Sequence, residues 1–302
     1  MGLKKILKKS KTITKVYNKL QHYYYCMLTI ISPKLNTKVL YKKHFGKKID
    51  LKAPKALEEK LSWLKIYNYN KNPLVFKCAD KLAVRDYVKS CGYESILNDL
   101  YYTFKSERDI DWDSLPSQFV LKWNFGAGFN IVCKEKSLLN ERQVKKTLKK
   151  WKKVRCGLST SELQYSHAPK RILCEKYLCD ETQDKGLIDY KVYCFNGKPK
   201  AIFVMHDREV CIKTEFFTTE WVLLQNTKKY ESYSNVTSKP DCLKQMLDCA
   251  EKLSSPFPFV RCDFYIVNNC LYFGEMTFTP AGGLYLSKTE IDGKDMSEFL
   301  TI

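Results

Sequence analysis

From position 260 to 266 apolar Val260, Cys262, Phe264 and Ile266 alternate with Arg261, Asp263 and Tyr265, which is the period of a strand with one apolar and one charged face. Asn268 and Asn269 then give a turn signal, and apolar and aromatic residues resume up to Thr277, so the stretch predicts a hairpin. Its register has two solutions. A two-residue turn pairs Cys262 with Glu275 and sends Asp263 and Glu275 to opposite faces. A three-residue loop, or one bulged residue, pairs Asp263 with Glu275 and brings both carboxylates together. Two such carboxylates repel by ~4 kcal/mol at 4 Å with an effective dielectric of 20, unless a cation lies between them. Beside the fixed charge of Arg261, two hard oxygen donors suit a magnesium that carries phosphates.

The same reading predicts an amphipathic helix over 54–67, with Leu57, Leu61 and Leu64 on one face. A second helix is expected from Asp80, a natural N-cap, to a stop at Gly92, burying Ala83, Val84, Tyr87 and Val88. Lys81 falls in its first turn, where the helix dipole disfavours a cation unless an anion is also present. Residues 109–116 form an acidic connector, and an apolar strand over 119–123 follows with Lys122 in its middle. A lysine there needs a partner anion, because burying its charge unpaired is costly. Gly126 and Gly128 let the next loop close its backbone N–H groups around phosphate oxygens. Asn140 to Gln143 reads as a capping box for a helix with Val144, Leu148 and Trp151 inward. Strands are predicted over 171–178 and 187–195, the latter turning at Asn196 and Gly197 into a partner over 200–205. A last helix spans 241–253.

Charge changes the picture at the N-terminus. The net charge is +19, yet residues 1–49 hold 13 lysines and no acid, which leaves only +6 for the rest. Leu3, Ile6, Leu7, Ile13, Val16 and Leu20 recur near helical spacing, and an apolar patch over 23–31 ends before Pro33. That patch is too short to span a bilayer and is followed by no small-residue cleavage site. Residues 1–32 therefore read as a basic amphipathic segment on an anionic membrane surface, with a solvated helix packed on the domain as the alternative. Nucleic acid is not expected as a partner, because no recognition module is visible. The 13 cysteines are odd in number and include no Cys-x-x-Cys pair, so they read as reduced thiols of a cytoplasmic protein. His22, His44, His167 and His206 share no zinc-ligand spacing with them.

Taken together, Asp80-Lys81 with Val84 to Val88, Phe119 to Lys122 with Gly126-Ala127-Gly128, and Asp189-Tyr190-Lys191 with Asn196-Gly197 form an ordered set. With Phe259 to Tyr265 and Gly274-Glu275-Met276-Thr277-Phe278-Thr279-Pro280, that set resembles the ATP-grasp superfamily. More narrowly it is similar to the TupA-like ATP-grasp family, named for teichuronopeptide biosynthesis, over roughly residues 60–290. The resemblance implies an α+β fold of two lobes clamping a nucleotide, preceded by a small N-terminal region and the basic tail. The expected division is a tail over 1–49, a helical region over 50–116, and an ATP-grasp domain over 117–302 with its lid at 117–180. ATP and Mg2+ are the implied cofactors.

Carried over residue by residue, the resemblance makes Lys81 and Lys122 phosphate-holding lysines and Gly126, Ala127 and Gly128 the flap over them. Glu175, Lys176, Tyr177 and Leu178 become the hinge that reads adenine, largely through backbone groups. Asp189 would face the ribose, and Lys191 would line the cleft. Asp263, Glu275 and Thr277 would hold magnesium, Thr277 standing where most such ligases carry Asn. Arg261, Lys122 and Lys191 would be the catalytic cations. The implied reaction joins a carboxylate to an amine through an acyl phosphate, in capsular or cell-wall polysaccharide biosynthesis. The acid is expected on a uronic-acid sugar or a lipid-linked glycan. A kinase acting on a sugar hydroxyl and a non-catalytic membrane-associated assembly protein are the competing readings. The expected location is cytoplasmic, peripheral on the inner face of the membrane.

Overall fold

Pro33 splits the N-terminal segment. Helix α1 (Lys11–Ile31) ends before it, and α2 (Pro33–Phe45) begins on it with Ser32 as N-cap, its hydroxyl accepting from the Leu35 N–H at 3.2 Å. The computed structural model describes residues 11–180, 186–206, 212–224, 237–284 and 290–302, so the apolar positions before residue 11 lie outside the described residues. Helix α3 (Leu57–Tyr67) buries Leu57, Leu61 and Leu64 as its periodicity predicts. Helices α4 (Pro73–Ala79) and α5 (Val84–Ser90) follow. Helix α5 starts later than the sequence pattern suggests. The Asp80 carboxylate accepts from the Leu82 and Ala83 N–H groups at 2.7 and 3.0 Å, and this Asx turn holds residues 81–83 ahead of the helix.

Two antiparallel sheets form the body. The first, in the order β1–β4–β2–β3, contains β1 (Leu100–Phe104), β2 (Phe119–Trp123), β3 (Asn130–Cys133) and β4 (Ile172–Lys176). Helix α6 (Glu141–Lys152) covers it, with Val144 and Leu148 set among Phe119, Leu121 and Trp123. This lid sheet draws β1 from the 50–116 stretch rather than from 117–180 alone, because β4 is paired on both edges. The second sheet, in the order β7–β6–β5–β8–β9, holds β5 (Asp189–Phe195), β6 (Lys198–His206), β7 (Lys213–Thr218), β8 (Phe259–Val267) and β9 (Cys270–Thr277). Helix α7 (Leu243–Ser254) packs on it through Met246, Cys249, Ala250 and Leu253, in one core with Leu61, Leu64, Val84 and Val88 of the N-terminal helices. Tyr69 joins the helical layer to the sheet, its buried hydroxyl donating to the Phe259 carbonyl at 2.6 Å. The described cysteines are all free, and seven of the twelve are buried, as small apolar residues would be.

The β8–β9 register selects between the two sequence solutions. Asn268 and Asn269 form a two-residue turn with φ of 49° and 61°, pairing Val267 with Cys270. By that count Cys262 would face Glu275, but Gly274 is bulged, and Asp263 pairs with Glu275 instead. The bulge therefore lies at Gly274 and not at the turn, where the odd residue was expected. A Cβ on Gly274 would come 2.9 Å from the Asp263 carbonyl oxygen, closer than side chains are found. Gly274→Ala should accordingly cost about 1–3 kcal/mol of stability by forcing the strands apart at the bulge, read as a lower urea midpoint. An unchanged midpoint would show that the bulge tolerates a side chain.

Candidate active site

Between the hairpin, α5 and the lid loop lies a cleft of about 340 Å3 lined by Lys81, Gly126, Ala127, Arg261, Glu275 and Thr277 among others. A larger opening of about 760 Å3 lies beside α5 and β1, but none of the hairpin's charged residues reaches it. Arg261, Glu275 and Thr277 of the hairpin line the smaller cleft.

Arg261 is the centre of the hairpin cluster. Its guanidinium donates to both Asp263 oxygens, each at 2.6 Å, through Nε and Nη2. Nη2 also donates to the Thr277 hydroxyl at 3.2 Å and lies 3.9 Å from Glu275 Oε1. Thr277 in turn donates to Glu275 at 3.2 Å, so all three expected metal-ligand side chains converge on one arginine. On the neighbouring strand Lys191 pairs in register with Asp263. Its ammonium lies 2.9 Å from the Asp263 carboxylate and 3.4 Å from that of Asp189, all three groups being buried.

Lys81 closes the cluster from the other side. Its ammonium lies 3.3 Å from Glu275 and donates to the Gly126 carbonyl, while its backbone N–H donates to the Asn124 carbonyl at 2.8 Å. Lys81 thus lies ahead of the helix rather than in its first turn, and Glu275 is its partner anion. The glycine loop turns a carbonyl toward this lysine, where the sequence suggested N–H groups closing on phosphate. Gly126 has φ of 66°, and a Cβ there would meet Cys156 Sγ at 2.5 Å, so only glycine fits. Ala127 and Gly128 are exposed at the loop tip.

The expected mutual repulsion of Asp263 and Glu275 is overturned. Burial pushes the Glu275 carboxyl up, but Lys81, Arg261 and Lys191 together outweigh it and hold the group down at about 2. Neutralising either acid would strand cations rather than relieve strain. A carboxyl lowered from its ordinary 4.5 contributes stability above that value and loses it as pH falls through about 2. Glu275→Gln should therefore be less stable than the parent at neutral pH, with the gap between their denaturation midpoints shrinking toward pH 2. A variant more stable than the parent at neutral pH would restore the repulsion picture.

Lys122 and Glu175 form a separate pair on the lid sheet. The Lys122 ammonium lies 2.6 Å from Glu175, with Arg85 at 4.0 Å, and Lys122 does not line the cleft. The partner anion that the strand lysine needs is already supplied by the protein. The Glu175 side chain is committed to this pair. At the expected hinge Lys176 is exposed and pairs with Asp99 at 3.3 Å, its carbonyl accepting from Asn98 at 2.9 Å; Tyr177 and Leu178 are half-buried. In an apolar strand Lys122→Met would be a mild substitution were the lysine unpaired. With Glu175 only 8% exposed, the substitution is instead expected to cost about 1–3 kcal/mol, most of it recovered in Lys122→Met/Glu175→Leu. A denaturation cycle with no coupling between the two positions would contradict the pair.

Several cleft residues were not singled out by the sequence. Glu162 accepts from the hydroxyls of Thr160 and Thr279, each at 2.5 Å, and lines the cleft with Tyr165, Cys156 and Gly282. Lys65, fully buried, donates to the Thr160 and Gly282 carbonyls at 3.0 and 2.7 Å. Asn124, also buried, donates to Asp80 and to the Pro169 carbonyl and accepts from the Arg171 N–H, tying the Lys81 turn to the lid. The only trace of this network in the sequence was the run Thr279-Pro280-Ala281-Gly282-Gly283 after the hairpin.

Among the described residues no group of three or more His, Cys, Asp or Glu side chains gathers as a metal site. The donor set nonetheless fits magnesium, which takes one or two carboxylates and draws its remaining oxygens from phosphates and water. Asp263 and Glu275 supply the carboxylates, Thr277 a neutral oxygen.

Two antiparallel sheets with a charged cleft between them, one carrying a flap loop and the other paired acids, define an ATP-grasp fold. The sequence model of the TupA-like ATPgrasp family matches residues 59–297, and the chain belongs to that family. No curated protein sequence matches it. Similar solved structures include D-alanine-D-alanine ligase from Helicobacter pylori, at 17% identity and TM-score 0.41, covering 76% of this chain and 63% of that one. The Bacillus anthracis D-alanine-D-alanine ligase complexed with ATP gives 16%, 0.38, 73% and 57%. An L-amino acid ligase from Bacillus licheniformis gives 12%, 0.40, 72% and 47%. The chain thus spans less than two thirds of each of these structures, and the assignment rests on the family match.

Proposed function

We propose that this chain is an ATP-dependent ligase that activates a carboxylate as an acyl phosphate and passes the acyl group to an amine. The observation that carries the reading is the convergence of Lys81, Arg261, Asp263, Glu275 and Thr277 on one cleft under a glycine loop. Such a site stabilises developing charge and needs no side-chain nucleophile. The cleft's own residues agree. Among the described residues no histidine lines it, and burial pushes the Cys156 thiol up to about 11, so it stays protonated at neutral pH.

Asp263, Glu275 and Thr277 would hold magnesium, which when bound neutralises phosphate charge. Lys81 and Arg261 present fixed positive charge at the cleft, and Lys191 orients the Asp263 carboxylate. Lys122, paired on the lid, would reach a nucleotide only by leaving Glu175. The family resemblance supports a polysaccharide role, with a uronic acid or its lipid-linked precursor as the acid. The lysine-rich residues 1–32 support an anionic membrane surface as the place of work. Among the described residues no helix is long and apolar enough to cross a membrane.

The test is to supply ATP, Mg2+, a panel of uronic acids and a panel of amino acids. Ligation releases ADP and orthophosphate together with an amide. Phosphate retained on the sugar would make the protein a kinase, and no nucleotide turnover would leave the assembly-protein reading. Arg261→Met is expected to lower kcat about 10²–10³-fold, with its folding checked by thermal melting. Full activity in that variant would remove Arg261 from the machinery.

A further inference from the structure

The wall of the cleft around residues 157–162 is held by the N-terminal helices. Ser161 is fully buried with φ of 61°, its hydroxyl 2.9 Å from that of Thr29 in α1. The Asn36 amide of α2 donates to Ser161 Oγ at 3.1 Å and to the Ser159 carbonyl at 3.0 Å. Asn70 donates to the Ser161 carbonyl at 2.9 Å and accepts from the Leu163 N–H at 2.8 Å. The neighbours of Ser161 are Thr160 and Glu162, both lining the cleft.

The opposite side of α1 has no partner of its own among the described residues. Ile13, Tyr17, Leu20, Tyr24, Met27 and Ile31 recur at alternating steps of four and three and are 43–66% exposed. At 100° per residue this stripe lies across the helix from Thr29. An exposed stripe of apolar and tyrosine side chains suits the boundary between headgroups and acyl chains, while Lys15 and Lys19 lie on the other flank of the helix. Charge narrows the occupant. Residues 1–49 carry 13 lysines and no acid, so a second copy would bring the same charge to the contact, whereas an anionic bilayer complements it.

Resting on the membrane reading above, we propose that α1 is a strut between bilayer and cleft. Anionic lipid docks on its outer stripe, and through Thr29 and Asn36 the docked helix steadies the 157–162 wall. The cleft is then held about one helix diameter, ~10 Å, from the lipid, which suits an acceptor presented at the membrane surface.

Vesicle flotation with the full chain tests the docking without reference to turnover. The protein is expected to float with phosphatidylcholine vesicles containing phosphatidylglycerol, less so at high salt, and not with phosphatidylcholine alone. Leu20→Asp should weaken this by about tenfold or more with an unchanged melting temperature, since Leu20 is exposed. Amide exchange over 157–162 should slow by about threefold or more on adding the anionic vesicles. Thr29→Val should still float but lose that slowing. Absence of flotation overturns the membrane reading and the strut together. Flotation with unchanged exchange at 157–162 overturns the strut alone. A dimer that Leu20→Asp dissociates, without vesicle binding, would assign the stripe to a second copy. The ligase reading stands or falls separately.

Discussion

The structure depends on what the Lys81 ammonium joins. It bridges the Gly126 carbonyl of the lid loop and the Glu275 carboxylate of the floor hairpin, while its backbone is hydrogen-bonded to Asn124 of the lid. Removing any one of these would leave a half-buried charge or carbonyl poorly compensated, a costlier state than an exposed pair ever reaches. Asp80 and Asn124 hold the turn that aims the lysine, so its position is set before any ligand arrives. The two sheets are thereby tied together at the point where the chemistry is proposed.

Around that tie the cleft is electrostatically prepared. Asp189, Asp263 and Glu275 are matched by Lys81, Lys191 and Arg261, so each acid faces a cation of the protein itself. Fixed charges of this kind require little reorganisation when charge develops nearby, which is the main physical advantage of a preformed site. The bidentate grip of Arg261 on Asp263 also fixes orientation, which a single-point ammonium does not.

Much of this was legible in the residue pattern. Alternation in the hairpin, the Asn196-Gly197 turn, the Asn140 cap and the apolar stripe of α3 all became the expected elements. The pairing of Asp263 with Glu275 was expected from their shared chemistry, but what produces it was not legible, because Gly274 carries no local sign that it is bulged. The sign of the Glu275 shift was misjudged for a different reason. Sequence neighbours supplied the second acid and Arg261, whereas Lys81, the largest of the opposing cations, and Lys191 arrive through topology. Lys122 shows the same limit, since its need for an anion was readable but Glu175 across β4 was not.

The least legible part is the polar layer beneath the cleft, and its physics explains why. Lys65 lies fully buried, and burial lowers its pKa to about 8, against the pull of Glu162. A leucine would pack there at less cost. What the lysine adds is direction, because its donors fix the Thr160 and Gly282 carbonyls from two loops far apart in sequence. Gly282 sits in a turn where Ala281, Gly282 and Gly283 all have positive φ, a conformation that a surrounding structure must impose. Thr279 and Gln164 extend the same constraint to Glu162. Stability is thus traded for the fixed shape of this part of the cleft wall.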